Sequence, residues 1–269
     1  MTAIAVTIAG SDSGGGAGIQ ADIKTFSALG VYGASVVTAL TAQNTRGVTA
    51  IHEAPADFVR AQMDAVFSDL SVDAVKIGML ASPALIETVA AGLDAWSVRT
   101  VVLDPVMVAT SGDLLLRDEA VETLVRLLLP KALALTPNLA EGARLLGEEI
   151  AGTRAAMVDQ ATRLKAMGPG AVLLKGGHGE GPEAADVLVD GEGVTWFTAP
   201  RHPTLNTHGT GCTLSSAITA GLALGKPLRE AVADAKAYVT DAIVAADGLK
   251  IGGGHGPVHH FHRWWSPSR

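Results

Sequence analysis

The sequence predicts an α/β fold, a mostly parallel central sheet covered by helices on both faces, in a single domain spanning residues 1–269. Three observations carry this. Short apolar runs with β-branched residues alternate with helical apolar patterns along the whole chain. Apolar residues make up 48% of it and aromatic ones 4%, with 31 glycines, as suits a sheet under Ala-, Leu- and Val-rich helices joined by many turns. The polar residues that stand out fall at strand ends, a shared edge where such sheets open a cleft.

Residues 3–9 read as the first strand, 10–18 as a glycine-rich loop and 19–29 as a helix. Residues 31–40 form a second strand, and 41–46 a loop at its end that carries Gln43. A glutamine offers a carbonyl and an amide NH₂ together and can pair with an aminopyrimidine edge, although a solvated loop position is the plain alternative. Residues 55–70 are amphipathic, 74–78 make a strand, and Met79 tops it, either against a planar ligand or as core filler. Ser82-Pro83 supplies an N-cap and an N1 proline for a helix reaching Ala95.

The strand 100–103 ends at Asp104, before a loop through Val106 to Asp113. The strand 132–136 leads into a helix opened by Asn138 and Glu141, whose spacing reads as a capping box and also suits magnesium held through water. The strand 171–174 delivers Lys175 into the turn Gly176-Gly177-His178, a place from which it could neutralise an ATP phosphate or simply face solvent. A hairpin over 186–198 and two helices follow, the second over 227–247. The tail from 251 holds four histidines without the partners a closed zinc site needs.

The first of those helices opens at Asn206-Thr207-His208-Gly209-Thr210-Gly211-Cys212-Thr213. Orphan amides and about half a positive charge gather at a helix N-terminus, and Gly209 and Gly211 let an anion approach closely. Cys212, the only cysteine, sits where the helix dipole should lower its thiol pKa. A glycine loop beside a small buried cysteine is the bland alternative.

Several classes are excluded. Gly16-Ala17-Gly18-Ile19-Gln20-Ala21 fits a dinucleotide fingerprint, but no acidic residue lies between Asp22 and Glu53 to hold a ribose. Gly225-Lys226 lacks the rest of a Walker A loop. The net charge is −7 with no basic cluster, so no nucleic-acid or anionic-membrane footprint exists. No apolar run is long enough to span a bilayer, and one cysteine fits a reducing compartment, so a cytoplasmic protein is expected.

Six stretches, Ala9 to Asp22, Thr41 to Thr45, Leu103 to Met107, Leu135 to Asn138, Leu173 to His178 and His208 to Cys212, together resemble the bacterial hydroxymethylpyrimidine/phosphomethylpyrimidine kinases of thiamine biosynthesis, in the ribokinase-like superfamily. The resemblance runs nearly end to end. It implies an ATP- and Mg²⁺-dependent enzyme that phosphorylates the pyrimidine alcohol and then its monophosphate. It also implies that Gln43 pairs with the pyrimidine, that Met79 and Val106 enclose it, and that Asp22 lies near the hydroxymethyl arm. Asp104, Asn138 and Glu141 would hold Mg²⁺ directly or through water. Lys175 and Thr210 would meet the nucleotide, and the amides of Gly209, Gly211 and Cys212 would cradle the moving phosphoryl group. Cys212 departs from the wider superfamily, whose sugar kinases carry an aspartate base at this place, and a helix-terminal thiolate there is expected to be the base for the first step. Relatives being often dimers, a homodimer is expected. The rival expectations are a pyridoxal kinase of the same superfamily and a non-catalytic pyrimidine-binding protein. The tail departs from the family at His259, where an Asn is usual.

Overall fold

The computed structural model describes residues 1–107, 118–177 and 181–265. Its frame is one nine-stranded sheet built from β1 (Ile4–Asp12), β2 (Tyr32–Asn44), β3 (Gly47–Glu53), β4 (Ala74–Ile77), β5 (Val101–Leu103), β6 (Ala134–Leu135), β7 (Ala171–Lys175), β8 (Glu183–Asp190) and β9 (Gly193–Pro200). The order across it is β3-β2-β1-β4-β5-β6-β7-β8-β9. From β2 to β7 every pairing is parallel, while β3, β8 and β9 add antiparallel edges. The strand order reverses direction between β1 and β4, so neighbouring crossovers diverge there and leave a crevice at the carboxyl ends.

Eight helices cover the sheet among the described residues: α1 (Gly18–Ala28), α2 (Ala56–Phe67), α3 (Pro83–Ala95), α4 (Asp118–Leu127), α5 (Leu139–Leu146), α6 (Arg154–Ala166), α7 (Thr210–Ala223) and α8 (Leu228–Ala245). Strand alternation sorts them. Val6, Ile8, Val75, Ile77, Val101 and Leu103 point to one face and pack with residues of α2 to α6. Ala5, Ala74 and Val102 point to the other, where α1, α7 and α8 lie.

Local signals produce the expected elements where they are strong. Ser82 caps α3 by accepting the Leu85 N–H, with Pro83 at the first helical position. Asn138 and Glu141 form both bonds of a capping box, each 2.8 Å. Two readings need correction. The expected loop 41–46 is mostly strand: β2 runs on to Asn44 and pairs with β3, so Gln43 projects from a hairpin. The helices α4 and α6 are additions to the sequence reading; α6 in particular buries Met157, Gln160, Ala161 and Leu164 on one face, but a glutamine on that face and Ala155, Ala156 and Val158 off it blur the apolar pattern.

Candidate active site

The carboxyl edge of the parallel strands opens into a cavity of about 640 Å³. Its wall brings together Gln43, Met79, Asp104, Val106, Asn138, Glu141, Lys175 and the α7 mouth from Gly209 to Cys212. Residues far apart in the chain therefore share one space. The loop from Val108 to Asp113 and His178, also singled out in the sequence, lie outside the described residues.

Gly209 makes the mouth possible. Its φ is +78°, a left-handed conformation natural to glycine, and a Cβ there would lie 1.9 Å from the Gly16 carbonyl oxygen. The glycine loop and the α7 N-terminus are thus pressed together at backbone distance. A Cβ on Gly211 would stand 3.3 Å from Lys175 Nζ and 3.8 Å from Asp104 Oδ2, which puts the mouth directly beside that ion pair. Thr210 lines the cavity too, though its hydroxyl turns back to donate to the Thr207 carbonyl at 2.7 Å.

Lys175, at the end of β7, donates to Asp104 Oδ1 at 2.9 Å, and Thr136 and Ser215 hydroxyls reach the same carboxylate at 3.2 and 3.3 Å. Burial pushes the Asp104 carboxyl up, but Lys175 and Lys76 outweigh it and hold it below the usual carboxylate range. Burial dominates at Glu141 instead and, helped by the Asp104 charge, pushes it up to about 7 against the pull of Lys175. Two carboxyl groups competing for ionisation in a dry wall are the donor chemistry a hard cation relieves. Among the described residues no group of three or more His, Cys, Asp or Glu is arranged to hold a metal ion by itself. The tail histidines serve packing: His260 meets the Thr213 hydroxyl at 3.1 Å and His259 tilts against Trp265.

At the other end, Gln43 is tied to the glycine loop. Ser13 Oγ donates to the Gln43 carbonyl at 2.7 Å and accepts its N–H at 2.8 Å. The Gln43 amide nitrogen lies 3.4 Å from His208 Nε2, which lies 3.0 Å from Asp12 Oδ2. Asp12 in turn collects the N–H groups of Gly14, Gly16 and Ala17 at 2.8 to 2.9 Å, so one buried carboxylate shapes the loop and holds His208 beside Gly209. Neither Asp12 nor His208 stands out as an actor in the sequence, although an aspartate entering a run of glycines is an Asx-turn signal.

Two residues sit otherwise than the sequence suggests. Asp22 does not line the cavity: it is fully buried behind it, accepting from Lys76, Thr7 and Ser216. Lys76, fully buried in β4 and absent from the sequence reading, lines the cavity in its stead. The Cys212 thiol, expected to be acidified by the helix dipole, is instead pushed up to about 11 by burial, with Asp22 and Asp104 adding to this and Lys76 and the Gly18 N–H opposing it.

The family-model comparison matches residues 12–259 to phosphomethylpyrimidine kinase. The chain belongs to that family. It is 63% identical over 265 residues to the hydroxymethylpyrimidine/phosphomethylpyrimidine kinase of Rhizobium meliloti, covering 98% of this chain and 99% of that one. It is 53% identical over 261 residues to the enzyme of the same name from Escherichia coli, covering 97% and 98%. Among solved structures, phosphomethylpyrimidine kinase from Clostridium difficile matches with a TM-score of 0.79 at 44% identity, over 89% of this chain and 99% of that one. Pyridoxal kinase from Staphylococcus aureus in complex with AMP-PCP and pyridoxal matches with a TM-score of 0.90 at 34% identity, over 98% and 95%. The ribokinase-like architecture is shared by both, so shape alone does not separate them; sequence favours the pyrimidine enzymes.

Proposed function

We propose that this chain moves the ATP γ-phosphoryl group to the hydroxymethyl oxygen of 4-amino-5-hydroxymethyl-2-methylpyrimidine, and then to the monophosphate so formed, giving the pyrophosphate for thiamine biosynthesis. One observation carries the reading: the amide mouth of α7, the Asp104–Lys175 pair and Gln43 all face a single cavity. Phosphoryl transfer asks a protein for positioning and for charge stabilisation more than for covalent chemistry, and these are the parts present.

In this reading Gln43 presents its amide to the aminopyrimidine edge, and Met79 and Val106 close on the ring. Thr41 Oγ1 donates to the oxygen of that amide at 3.0 Å, and Asp12, accepting from His208 Nε2 at 3.0 Å, keeps the imidazole between Gln43 and the mouth. Lys175 meets the nucleotide phosphates, and the N–H groups of Gly209, Gly211 and Cys212 receive the migrating group. Asp104 and Glu141 suit Mg²⁺ through its waters, with Asn138 fixing Glu141 through the capping box rather than supplying the ion from a free side chain. Bound there, Mg²⁺ would neutralise phosphate charge. Cys212 removes the alcohol proton in the first step; the monophosphate is already anionic, so the second needs no such base. We also infer a homodimer, the assembly expected from the family resemblance. No helix among the described residues is long and apolar enough to cross a membrane. With its single cysteine the chain is read as cytoplasmic.

A single assay tests the function: ADP release with the pyrimidine alcohol, its monophosphate and pyridoxal. Turnover of both pyrimidines supports the reading. Turnover of pyridoxal alone would favour the pyridoxal kinase suggested by the 0.90 match, and pyrimidine binding without turnover would make this a binding protein.

A further inference from the structure

Resting on the two-step reading above, we infer that Lys76 is the acceptor-phosphate contact, the residue that lets one site take a phosphate monoester as well as an alcohol.

Lys76 is the only polar residue of β4, and it is fully buried. Alternation turns Val75 and Ile77 to the α2–α6 face, so Lys76 points to the opposite face, beneath α1 and α7. There it donates to both oxygens of Asp22, at 3.0 and 2.9 Å. Asp22 also accepts from Thr7 at 2.6 Å and Ser216 at 2.6 Å, so each oxygen holds two donors and the carboxylate is satisfied. The ammonium is not. It has three N–H groups, and Asp22 is its only hydrogen-bond partner among the described residues. Nζ is packed so closely under the turn after β4 that a Cβ on Gly78 would lie 2.8 Å away.

A buried ion pair is weak evidence of a stabilising device, since an apolar pair of similar volume often does as well. The lysine of this pair borders the cavity while its partner lies behind it, and that is the observation stability does not account for. The other lining cations of that cavity stand elsewhere. Lys175 pairs with Asp104, Lys236 with Asp186, and Arg201 with carbonyls of Gly177, Gly181 and Glu183. Among the lining lysines and arginines, Lys76 alone lies beneath the α7 mouth on the strand that leads into Met79, where its charge acts on Cys212 and Asp104 as well as on Asp22. A pyrimidine held at Gln43 would carry its first phosphate on the arm that reaches toward that mouth, where the migrating group is received. In the second transfer an ionised oxygen of this phosphate attacks Pγ; the new P–O bond forms as the Pγ–O bond to the β-phosphate breaks, and the electron pair leaves on ADP. No proton is moved. What the step needs at the acceptor is a charge-assisted donor, and the free N–H of Lys76 supplies one.

The experiment is the paired variant Lys76→Met with Asp22→Asn, which removes the ammonium without stranding a buried carboxylate; the amide that replaces it can still bond Thr7 and Ser216. Each phosphorylation is measured separately. The expected result is a loss of about 10- to 100-fold in kcat/KM for the monophosphate, as for a charge-assisted bond, carried mainly by KM, with the alcohol step falling several-fold less. Equal loss in both steps, loss confined to the alcohol, or no loss would overturn the proposal. Should the paired variant not fold, the wild-type enzyme decides: the ¹⁵Nζ resonance of Lys76 should shift on adding the pyrimidine monophosphate and not on adding the alcohol, and an unmoved resonance would overturn it. If wild-type enzyme turns over neither pyrimidine, the functional reading itself fails, an outcome distinct from either.

Discussion

Raising the pH should accelerate the first phosphorylation and leave the second almost unchanged, because in the proposed mechanism only the first draws on the half-buried Cys212 thiol as base. Two effects compete at Cys212. A helix N-terminus is worth about 0.3–1 kcal/mol to a nearby anion at an exposed site. Desolvation first, with Asp22 and Asp104 behind it, outweighs Lys76 and the Gly18 N–H and moves the thiol from an ordinary 9.0 up to about 11, a net of roughly 3 kcal/mol against ionisation that exceeds the dipole's pull. At pH 7 roughly one thiol in ten thousand is then ionised, and at pH 9 about one in a hundred. The sign follows: a raised thiol pKa leaves the base depleted at neutral pH and restores it as pH climbs. Single-turnover rates by rapid quench, with saturating ATP and Mg²⁺, should rise nearly tenfold per pH unit from about 7 to about 9 for the alcohol. The monophosphate acceptor, whose second ionisation lies near about 6, should give a flat profile over the same range. Cys212→Ala should abolish the slope of the first step and spare most of the second. A flat first step, a common slope for both acceptors, or a slope that survives in Cys212→Ala would refute the base role.

Gly209→Ala should lose more than about 100-fold in kcat for both steps while pyrimidine binding, followed by calorimetry, persists, since the new Cβ strikes the Gly16 carbonyl at 1.9 Å and strains a φ of +78°. His208→Leu should raise the pyrimidine KM about tenfold with the ATP KM unchanged, and His208→Gln, whose amide nitrogen reaches the Nε2 position, should restore much of it in the same steady-state assay. Glu141→Gln should raise the Mg²⁺ concentration for half-maximal rate about tenfold with unchanged circular dichroism. Because the Glu141 carboxyl is pushed up to about 7, Mg²⁺ binding to wild-type enzyme and ATP below that pH should release a proton, measurable by calorimetry in buffers of different ionisation enthalpy, and Glu141→Gln should lose that release.

What can be read from the sequence is what neighbours in the chain decide. Ser82-Pro83 announces α3, Asn138 and Glu141 announce α5, and the glycines of 209–211 announce an anion-accepting helix mouth, each through features that lie within one helical turn. What fails depends on distant packing. Gln43 reads as a loop residue because nothing local reveals that residues 47–53 return to extend the sheet. The helix dipole at Cys212 is a local property, while the desolvation that overrides it needs the rest of the fold, in which α7 packs on α1 and on the strands β1, β4 and β5. Asp22 is assigned to the substrate on family resemblance; its lysine partner lies 54 positions away and consumes it. Lys76 itself is legible in part, as one charge in an otherwise apolar strand, but its direction needs the sheet.

The cavity lining also explains why amides rather than a lysine should receive the transferred group. Each lining lysine already meets a carboxylate: Lys76 with Asp22, Lys175 with Asp104, Lys236 with Asp186, at 2.7 to 2.9 Å. An entering phosphate gains from the cation but is repelled by its partner, so the net hold of each pair on an anion is moderate. The α7 mouth differs, because its first turn carries no acidic side chain and Gly209 and Gly211 bring bare backbone to the surface. Partial positive charge there belongs to the backbone itself and is fixed in direction before any ligand arrives. A phosphoryl group that must be released after transfer is better served by such dipoles than by a full charge, which would hold product as firmly as transition state. The paired lysines then act on the phosphates that stay behind, on ADP and on the acceptor, and the mouth acts on the one that moves.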